Sequence, residues 1–283
     1  MWASPGNTEC RRGLVVALGN MGDVCGRSGE NLGDLEGAAR AFERATVISR
    51  AIVDADAKDR RAAFDLVNVL LRLGSVLGDT PGRIDEALLP LEEADRLNAR
   101  LMSDERASMR YRYLQVVLDR RLGRLLRLAG RAAEADSRLR RARRDGPAHF
   151  DGPSGGIAQL QVSLADVELA LLLAGQRDRN ALAMATTVRD EMAAGMLTPL
   201  IEAQARADLG RAFVMMARQE SEVRRRSTAP APSEPLRLTL GEFGAAVEAW
   251  QGQTLPPTLT SQRDRALAAL AADRAAALAL VPR

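Results

Sequence analysis

Glycine recurs at long, similar intervals inside stretches whose composition is otherwise helical. The recurrent position holds Gly22, Gly74, Gly123, Glu168 and Gly210, at intervals of 52, 49, 45 and 42 residues. A glycine in a helix interior costs roughly 1 kcal/mol relative to alanine. Its return therefore indicates a packing requirement, a place where two helices approach too closely for a side chain. Repetition at this spacing predicts an array of similar helical units.

Three further positions keep a fixed place relative to the recurrent glycine, and each is mostly apolar. They lie five residues before it, one residue before it and three residues after it. Successive offsets of four place them on one face of a helix. The position one residue before the glycine holds Met21, Leu73, Leu122, Val167 and Leu209. We predict that this apolar stripe is buried in every unit.

A second glycine follows in most units, at Gly29, Gly82, Gly130 and Gly175. Glycine readily adopts the left-handed conformation just past a helix end, so these residues are predicted to terminate the first helix. A second helical stretch then follows, over 34–53, 83–101, 131–144, 179–192 and, with a weaker pattern, 243–250. The predicted unit is helix, tight turn, helix.

The composition indicates an all-α chain. Hydrophobic residues make up 46% of the sequence but aromatic residues only 3%, a mixture rich in helix formers and poor in strand formers. A single helix pair cannot bury its apolar face, so we predict that the pairs stack into a superhelical array. The predicted organisation is a flexible lead over 1–9, an array of about five units over 10–220, a Pro/Ala/Ser linker over 221–235 and a helical cap over 236–283.

Small residues and turn glycines on paired helices resemble the tetratricopeptide repeat (TPR), although these units are longer than its usual length of about 34 residues. The resemblance implies a right-handed superhelix, a TPR-like α-solenoid, whose first helices line a concave groove. A narrower resemblance covers Gly22–Ile52. Its elements Gly22–Val24, Asn31–Asp34 and Gly37–Ala38 are similar to the stretch that opens the helical repeat region in a group of bacterial serine/threonine protein kinases. Pro5–Thr8 matches a segment that often stands upstream in that group.

The second resemblance implies protein recognition in bacterial signalling, in association with a serine/threonine kinase. The chain contains no glycine-rich nucleotide loop and no VAIK, HRD or DFG motif, so we do not expect it to transfer phosphate by that machinery. Our expectation is a non-catalytic protein-binding scaffold. The alternatives are the helical sensor region of a transcriptional regulator and a basic helical array that binds nucleic acid.

Neither a metal site nor a cofactor is expected. One histidine, His149, and two cysteines, Cys10 and Cys25, are too few and too far apart for a zinc site. The N-terminal residues lack the pattern of a signal peptide. The apolar stretch near the C-terminus is interrupted by Asp273 and Arg274, so we expect no membrane span and a cytoplasmic location.

A second helical face carries polar side chains and is predicted to line the groove. Its positions lie six residues before, two before and one after the recurrent glycine, on one face and away from the apolar stripe. We predict that this face binds another protein as an extended peptide that is acidic, phosphorylated or exposes its backbone. The candidate peptide-binding residues are Asn20, Asn68, Arg72, Arg121, Arg124, Asp166 and Asp208.

Residues 120–144 contain ten arginines against Glu134 and Asp136, whereas the whole chain has a net charge of only +3. One interpretation is a basic surface for an acidic peptide, a phosphoprotein or nucleic acid. The other is a solvated helix pair whose arginines meet acidic side chains on neighbouring helices. Nucleic acid is the weaker option, because Tyr111 and Tyr113 are the only nearby aromatic residues for base stacking.

Overall fold

The computed structural model describes residues 8–26, 31–104, 109–146, 153–192, 199–224, 234–252 and 260–280. These residues form eleven α-helices and no strand, which confirms the all-α class. The chain divides into two compact units, Met1–Arg131 and Ala132–Arg283. The boundary falls inside the third of the predicted helix pairs.

Unit 1 contains five helices joined by short connections. They are α1 (Thr8–Gly26), α2 (Leu35–Ala55), α3 (Arg60–Asp79), α4 (Ile84–Asp104) and α5 (Met109–Leu128). Each helix packs on the next one in the chain, and α3 also packs on α5. Val15, Leu18, Ala45 and Val69 form a buried cluster between α1, α2 and α3. Unit 1 thus contains the predicted pairs α1–α2 and α3–α4, followed by α5.

The α1–α2 connection gives a structural role to the residues that carry the kinase-repeat resemblance. Gly33 has a φ of 72°, a left-handed conformation that favours glycine, and its N–H donates to Asn31 Oδ1 at 2.8 Å. Asp34 caps α2, since its Oδ1 accepts a 2.8 Å hydrogen bond from the N–H of Gly37. Ala38 is fully buried. These residues build the turn and the start of the second helix.

Two of the recurrent glycines of unit 1, Gly22 and Gly74, lie where the two helices of a pair come close together. A Cβ on Gly22 would lie 2.5 Å from Cζ of Phe42 in α2, and one on Gly74 would lie 2.5 Å from Cγ of Leu91 in α4. Gly123 is buried in α5. Gly22 and Gly74 therefore each make room for a large side chain from the second helix of the pair.

Unit 2 contains six helices. They are α6 (Ala132–Asp145), α7 (Pro153–Gly175), α8 (Ala181–Met192), α9 (Pro199–Arg224), α10 (Glu234–Gln251) and α11 (Thr260–Leu278). Consecutive helices pack on each other, and α7 also packs on α9, and α9 on α11. Gly210 repeats the glycine contact of unit 1, because a Cβ there would lie 2.5 Å from Cε1 of Phe243 in α10.

The apolar stripe is buried in α3, α5, α7 and α9, as predicted, but it is exposed in α1. Leu73, Leu122, Val167 and Leu209 are all buried, whereas the equivalent Met21 is 45% exposed. Each of the other four helices packs against the helix that precedes it in the chain, as α3 packs against α2. Within the described ranges no helix precedes α1, so its stripe faces outward.

The turns after α5 and α7 both place a left-handed residue two positions past the helix end, but only one of them has a glycine there. Gly130, just past α5, has a φ of 76°, and the next N–H closes a 2.8 Å hydrogen bond back onto α5. Gly175 is instead the last helical residue of α7, and the left-handed residue is Arg177, with a φ of 58°. α7 therefore ends at Gly175 as predicted, but the left-handed conformation expected at Gly175 is adopted by Arg177, two positions later. Gly29 lies outside the described residues.

Helices extend into segments that were predicted to be irregular. α1 begins at Thr8, inside the predicted lead over 1–9, and α9 continues to Arg224, inside the predicted linker. α10 begins at Glu234, at the other end of that linker, and residues 225–233 lie outside the described ranges. The region predicted as a cap therefore contains the pairing partner of α9 as well as α11.

Among the described helices, α7 is long and apolar enough to cross a membrane, over Ala158–Gly175. Of this stretch, 72% is buried within the folded chain. That burial is typical of a core helix, and α7 is the helix on which α6, α8 and α9 pack.

Candidate functional site

A cleft of about 330 Å3 lies between α1 and α3, and residues of α2 form its floor. The apolar lining residues are Val15, Val16, Ile52, Ala62, Phe64 and Val69. The polar lining residues are Arg12, Asn20, Ser49, Arg61, Asp65, Asn68 and Arg72. The cleft has a volume in the range of small-ligand sites, and its lining combines apolar walls with polar groups.

The cleft brings together candidate residues that lie far apart in the sequence. Asn20 of α1 and Asn68 and Arg72 of α3 all line it. Arg72 reaches across to α1, where its Nη2 lies 3.5 Å from Asp23 Oδ2. Its guanidinium lies against Gly19, since a Cβ there would be 2.8 Å from Arg72 Nη1. Arg72 is therefore held at the cleft wall by α1.

The two asparagines keep hydrogen-bonding capacity for a ligand. Asn68 Nδ2 donates to the carbonyl oxygen of Phe64 at 2.9 Å, which leaves Asn68 Oδ1 as an acceptor. Asn20 is exposed, and in the described part of the chain its side-chain amide has no hydrogen-bond partner. Amide groups such as these can pair with a peptide backbone.

Arg121 and Arg124 lie elsewhere in unit 1. They line a recess of about 10 Å3 between α3 and α5, too small for a ligand. Arg124 Nη1 lies 2.9 Å from Asp79 Oδ1, so its charge is already paired with α3. Arg121 and Arg124 occupy repeated positions equivalent to those of the cleft residues, but neither of them lines the cleft.

Asp166 and Asp208 lie in unit 2 and interact within it. Asp166 is only 3% exposed, and Arg143 Nε lies 3.2 Å from its Oδ1. Burial raises the pKa of Asp166 to about 6, against the attraction of Arg143. Asp208 Oδ1 lies 2.6 Å from Nη1 of Arg211, which also pairs at 2.9 Å with Asp273 of α11. Asp166 is thus buried in unit 2, whereas Asp208 is half-buried and paired with Arg211.

The arginines of residues 120–144 take part in interactions within the chain. Arg124 pairs with Asp79, Arg131 with Glu92, Arg140 with Asp136, Arg143 with Asp166 and Arg144 with Asp145. The other five arginines also have hydrogen-bonding or electrostatic partners within the chain. This arrangement favours the interpretation of arginines that meet acidic neighbours over that of an open basic surface.

The sequence analysis missed Arg12, Ser49 and Asp65, which line the same cleft. Arg12 pairs with Glu9 at 2.9 Å and with Asp59, and burial raises the pKa of the Asp65 carboxyl above its ordinary value, against the attraction of Arg61. Each is an ordinary polar residue in an amphipathic helix, and none falls in a repeated column. The sequence therefore carries no signal that would have singled them out.

No cluster of potential metal ligands occurs among the residues that the structure describes. Cys10 is exposed and Cys25 half-buried, and both are free thiols. His149 lies outside the described residues.

The chain matches no established protein-family profile, and no curated protein is significantly similar to it.

Proposed function

We propose that the chain is a non-catalytic protein-binding scaffold of TPR-like helix pairs, and that it binds an extended peptide segment of a partner in the cleft between α1 and α3. The observation that carries the proposal is the meeting of Asn20, Asn68 and Arg72 in that cleft. These residues come from positions that the repeat pattern assigns to one groove-lining face. The fold supplies the wall, and the three side chains supply polar contacts at intervals along it.

The packing within each unit supports a stack of helix pairs. Helices that lie two apart in the chain also contact each other, namely α3 and α5, α7 and α9, and α9 and α11. An even-numbered helix lies between the members of each such couple along the chain. Contacts between neighbouring pairs are what an α-solenoid of stacked helix pairs would have.

The association with a bacterial serine/threonine kinase is part of the proposal and rests on the Gly22–Ile52 resemblance. In the described part of this segment lie the end of α1 and most of α2, and its Ser49 and Ile52 line the cleft. A scaffold of this kind would bring a partner to the kinase without itself acting on phosphate. The affinity of the groove, and not a chemical step, would then set the choice of partner.

The test is selection of a random twelve-residue peptide library on the full chain, followed by titration of an enriched peptide. We expect the Asn20→Ala/Asn68→Ala double variant and the Arg72→Ala variant to weaken binding by about tenfold, the effect of losing one or two polar contacts. Asn180→Ala and Arg218→Ala replace exposed residues of the same types outside the cleft and should bind as the wild type does.

Failure to enrich any peptide, or equal affinity of all four variants, would overturn the proposal that the cleft binds a peptide. The kinase association has its own test, affinity purification of the tagged chain from its native organism with mass spectrometry of the bound fraction. A serine/threonine kinase that is retained by the wild type and lost with Asn20→Ala/Asn68→Ala supports it. A bound fraction without such a kinase contradicts it.

A further inference from the structure

The hydroxyl of Ser49 lies at the floor of the cleft without a hydrogen-bond partner. Ser49 is 2% exposed, and its Oγ is paired with nothing in the described part of the chain. Thr46 Oγ1 of α2 is also buried without a partner, but Thr46 does not line the cleft. Four other buried or half-buried hydroxyls of the described residues donate to the carbonyl oxygen four residues earlier. They are Ser75, Thr80, Thr186 and Thr239, at 2.7 to 2.9 Å. A buried hydroxyl that makes no such bond lowers the stability of the fold unless a ligand provides a hydrogen-bond partner.

Arg12 contributes a second unpaired donor to the lining of the cleft. Its terminal nitrogens pair with Glu9 and Asp59, whereas its Nε is buried without a partner. The positive charge of Arg12 is already balanced by two carboxylates. The Nε–H can therefore donate to an oxygen atom, and Arg12 itself adds little attraction for a negatively charged ligand.

Asp65 provides the complementary acceptor. It lines the cleft, and its carboxylate has no hydrogen bond or ion pair within the ranges that the structure describes. It lies close enough to Arg12 and Arg61 to feel their charges, and desolvation raises its pKa. A desolvated carboxylate gains most from an N–H donor, and it repels a second carboxylate.

We propose that Arg12, Ser49 and Asp65 form an amide pocket, which binds a neutral amide group of the ligand. The amide oxygen accepts from Arg12 Nε–H and Ser49 Oγ–H, and the amide N–H donates to Asp65. Val15, Ile52 and Val69 provide apolar walls for the carbon atoms next to the amide. The inference rests on the proposed function for the source of the amide, an extended peptide, and it selects a neutral group over an acidic or phosphorylated one.

Small amides test the pocket without any assumption about the partner. The full chain, labelled with 15N, is titrated with propionamide, N-methylacetamide and propionate, and the backbone amide shifts are followed by NMR. Propionamide represents a glutamine or asparagine side chain, its isomer N-methylacetamide represents the peptide backbone, and propionate is the matched anion. We expect saturable shifts around Ser49, Asp65 and Val69 with at least one of the two amides, at millimolar concentration, and much weaker shifts with propionate.

The stronger of the two amides identifies which source the pocket prefers. Ser49→Ala should lower the affinity for that amide by about fivefold or more, the effect of one hydrogen bond, and Asp65→Ala should do the same independently if the first variant does not fold. Equal shifts with propionate, or no saturable shift with either amide, would overturn the pocket. Peptide binding that persists without amide binding would overturn this inference alone, and amide binding without any peptide binding would overturn the proposed function alone.

Thermal unfolding of two matched variants checks the unpaired hydroxyl itself. Ser75→Ala removes a hydroxyl that donates to the carbonyl of Leu71, so it should lower the melting temperature. Ser49→Ala removes a hydroxyl without a partner, so the melting temperature should stay the same or rise. A loss at Ser49 as large as the loss at Ser75 would show that the hydroxyl already has a partner in the chain, and the amide pocket would lose its basis.

Discussion

The ring of Phe42 in α2 lies directly over Gly22 in α1, so close that a Cβ on Gly22 would lie 2.5 Å from the ring carbon Cζ. Phe243 lies over Gly210 in the same way, with a corresponding distance of 2.5 Å to Cε1. The same pairing of glycine with phenylalanine thus occurs in both units. It defines the closest approach of the two helices in each pair.

Alanine at either of these glycines should therefore destabilise the chain. Gly22→Ala and Gly210→Ala each force a phenylalanine ring to move in a buried contact, and we expect a loss of about 1 to 3 kcal/mol. Gly13→Ala, also in α1, is the control because a Cβ there has nothing within 4 Å. It should stabilise by up to about 1 kcal/mol. Urea denaturation followed by circular dichroism measures all three, and equal effects at Gly13 and Gly22 would contradict the packing requirement.

The left-handed residues after α5 and α7 should respond to opposite substitutions. Gly130→Ala places a Cβ in a left-handed conformation and should destabilise by about 1 kcal/mol. Arg177→Gly removes the Cβ from the left-handed residue at the equivalent turn position and should stabilise the chain by about 0.5 to 1 kcal/mol. The Arg177–Glu222 ion pair is exposed on both sides, so its loss costs little. Denaturation midpoints that fall for both variants would show that the two turns are not equivalent.

The buried carboxyl of Asp166 should make stability depend on pH. Because its pKa is raised to about 6 in the folded chain, the folded state binds the proton more tightly than the unfolded state. The stability should therefore fall by about 2 to 3 kcal/mol as the pH rises from about 4 to 6. Asp166→Asn should remove this slope and stabilise the chain at pH 7 but not at pH 4. Asp54→Asn, at an exposed position, is the control and should keep the slope, and a wild-type slope in Asp166→Asn would contradict the assignment.

Loss of the arginine from the buried Arg206–Glu242 ion pair should destabilise the folded chain. Arg206 Nη1 lies 2.9 Å from Oε2 of Glu242, which is 7% exposed, and burial raises the pKa of Glu242 despite this pair. Arg206→Met leaves the carboxylate buried without its partner, and we expect a loss of about 3 kcal/mol at pH 7. The loss should shrink toward pH 4, where Glu242 takes up a proton. The double variant Arg206→Met/Glu242→Leu should recover most of the stability, and a loss independent of pH would argue against a charge effect.

The repeat pattern predicted much of the fold because helix formation and helix ends depend on nearby residues. The predicted second helix over 83–101 corresponds to α4, and that over 131–144 corresponds to α6, each within three residues at either end. Prediction from nearby residues fails at Gly175, because Arg177 and not Gly175 adopts the left-handed conformation. It fails also at Met21, whose exposure depends on whether another helix lies against α1.

The candidate site was predicted in part. Asn20, Asn68 and Arg72 were identified from their columns, because residues on one helical face recur at fixed offsets from the glycine. Asp166 occupies an equivalent column but is buried against Arg143. The columns specify the direction of a side chain around its helix, and they do not specify what the neighbouring helix places there.

The sequence by itself determined that this chain forms helix pairs and that glycine recurs at a contact between paired helices, at Gly22, Gly74 and Gly210, since local propensity and a 3.6-residue period depend on nearby residues. Only the tertiary structure decided that Arg12, Ser49 and Asp65 share one cleft. These residues belong to three different helices, and their unmet hydrogen-bonding groups arise from burial by neighbours that are distant in the chain. Desolvation of a side chain is a property of everything packed around it, so no stretch of sequence can encode it locally.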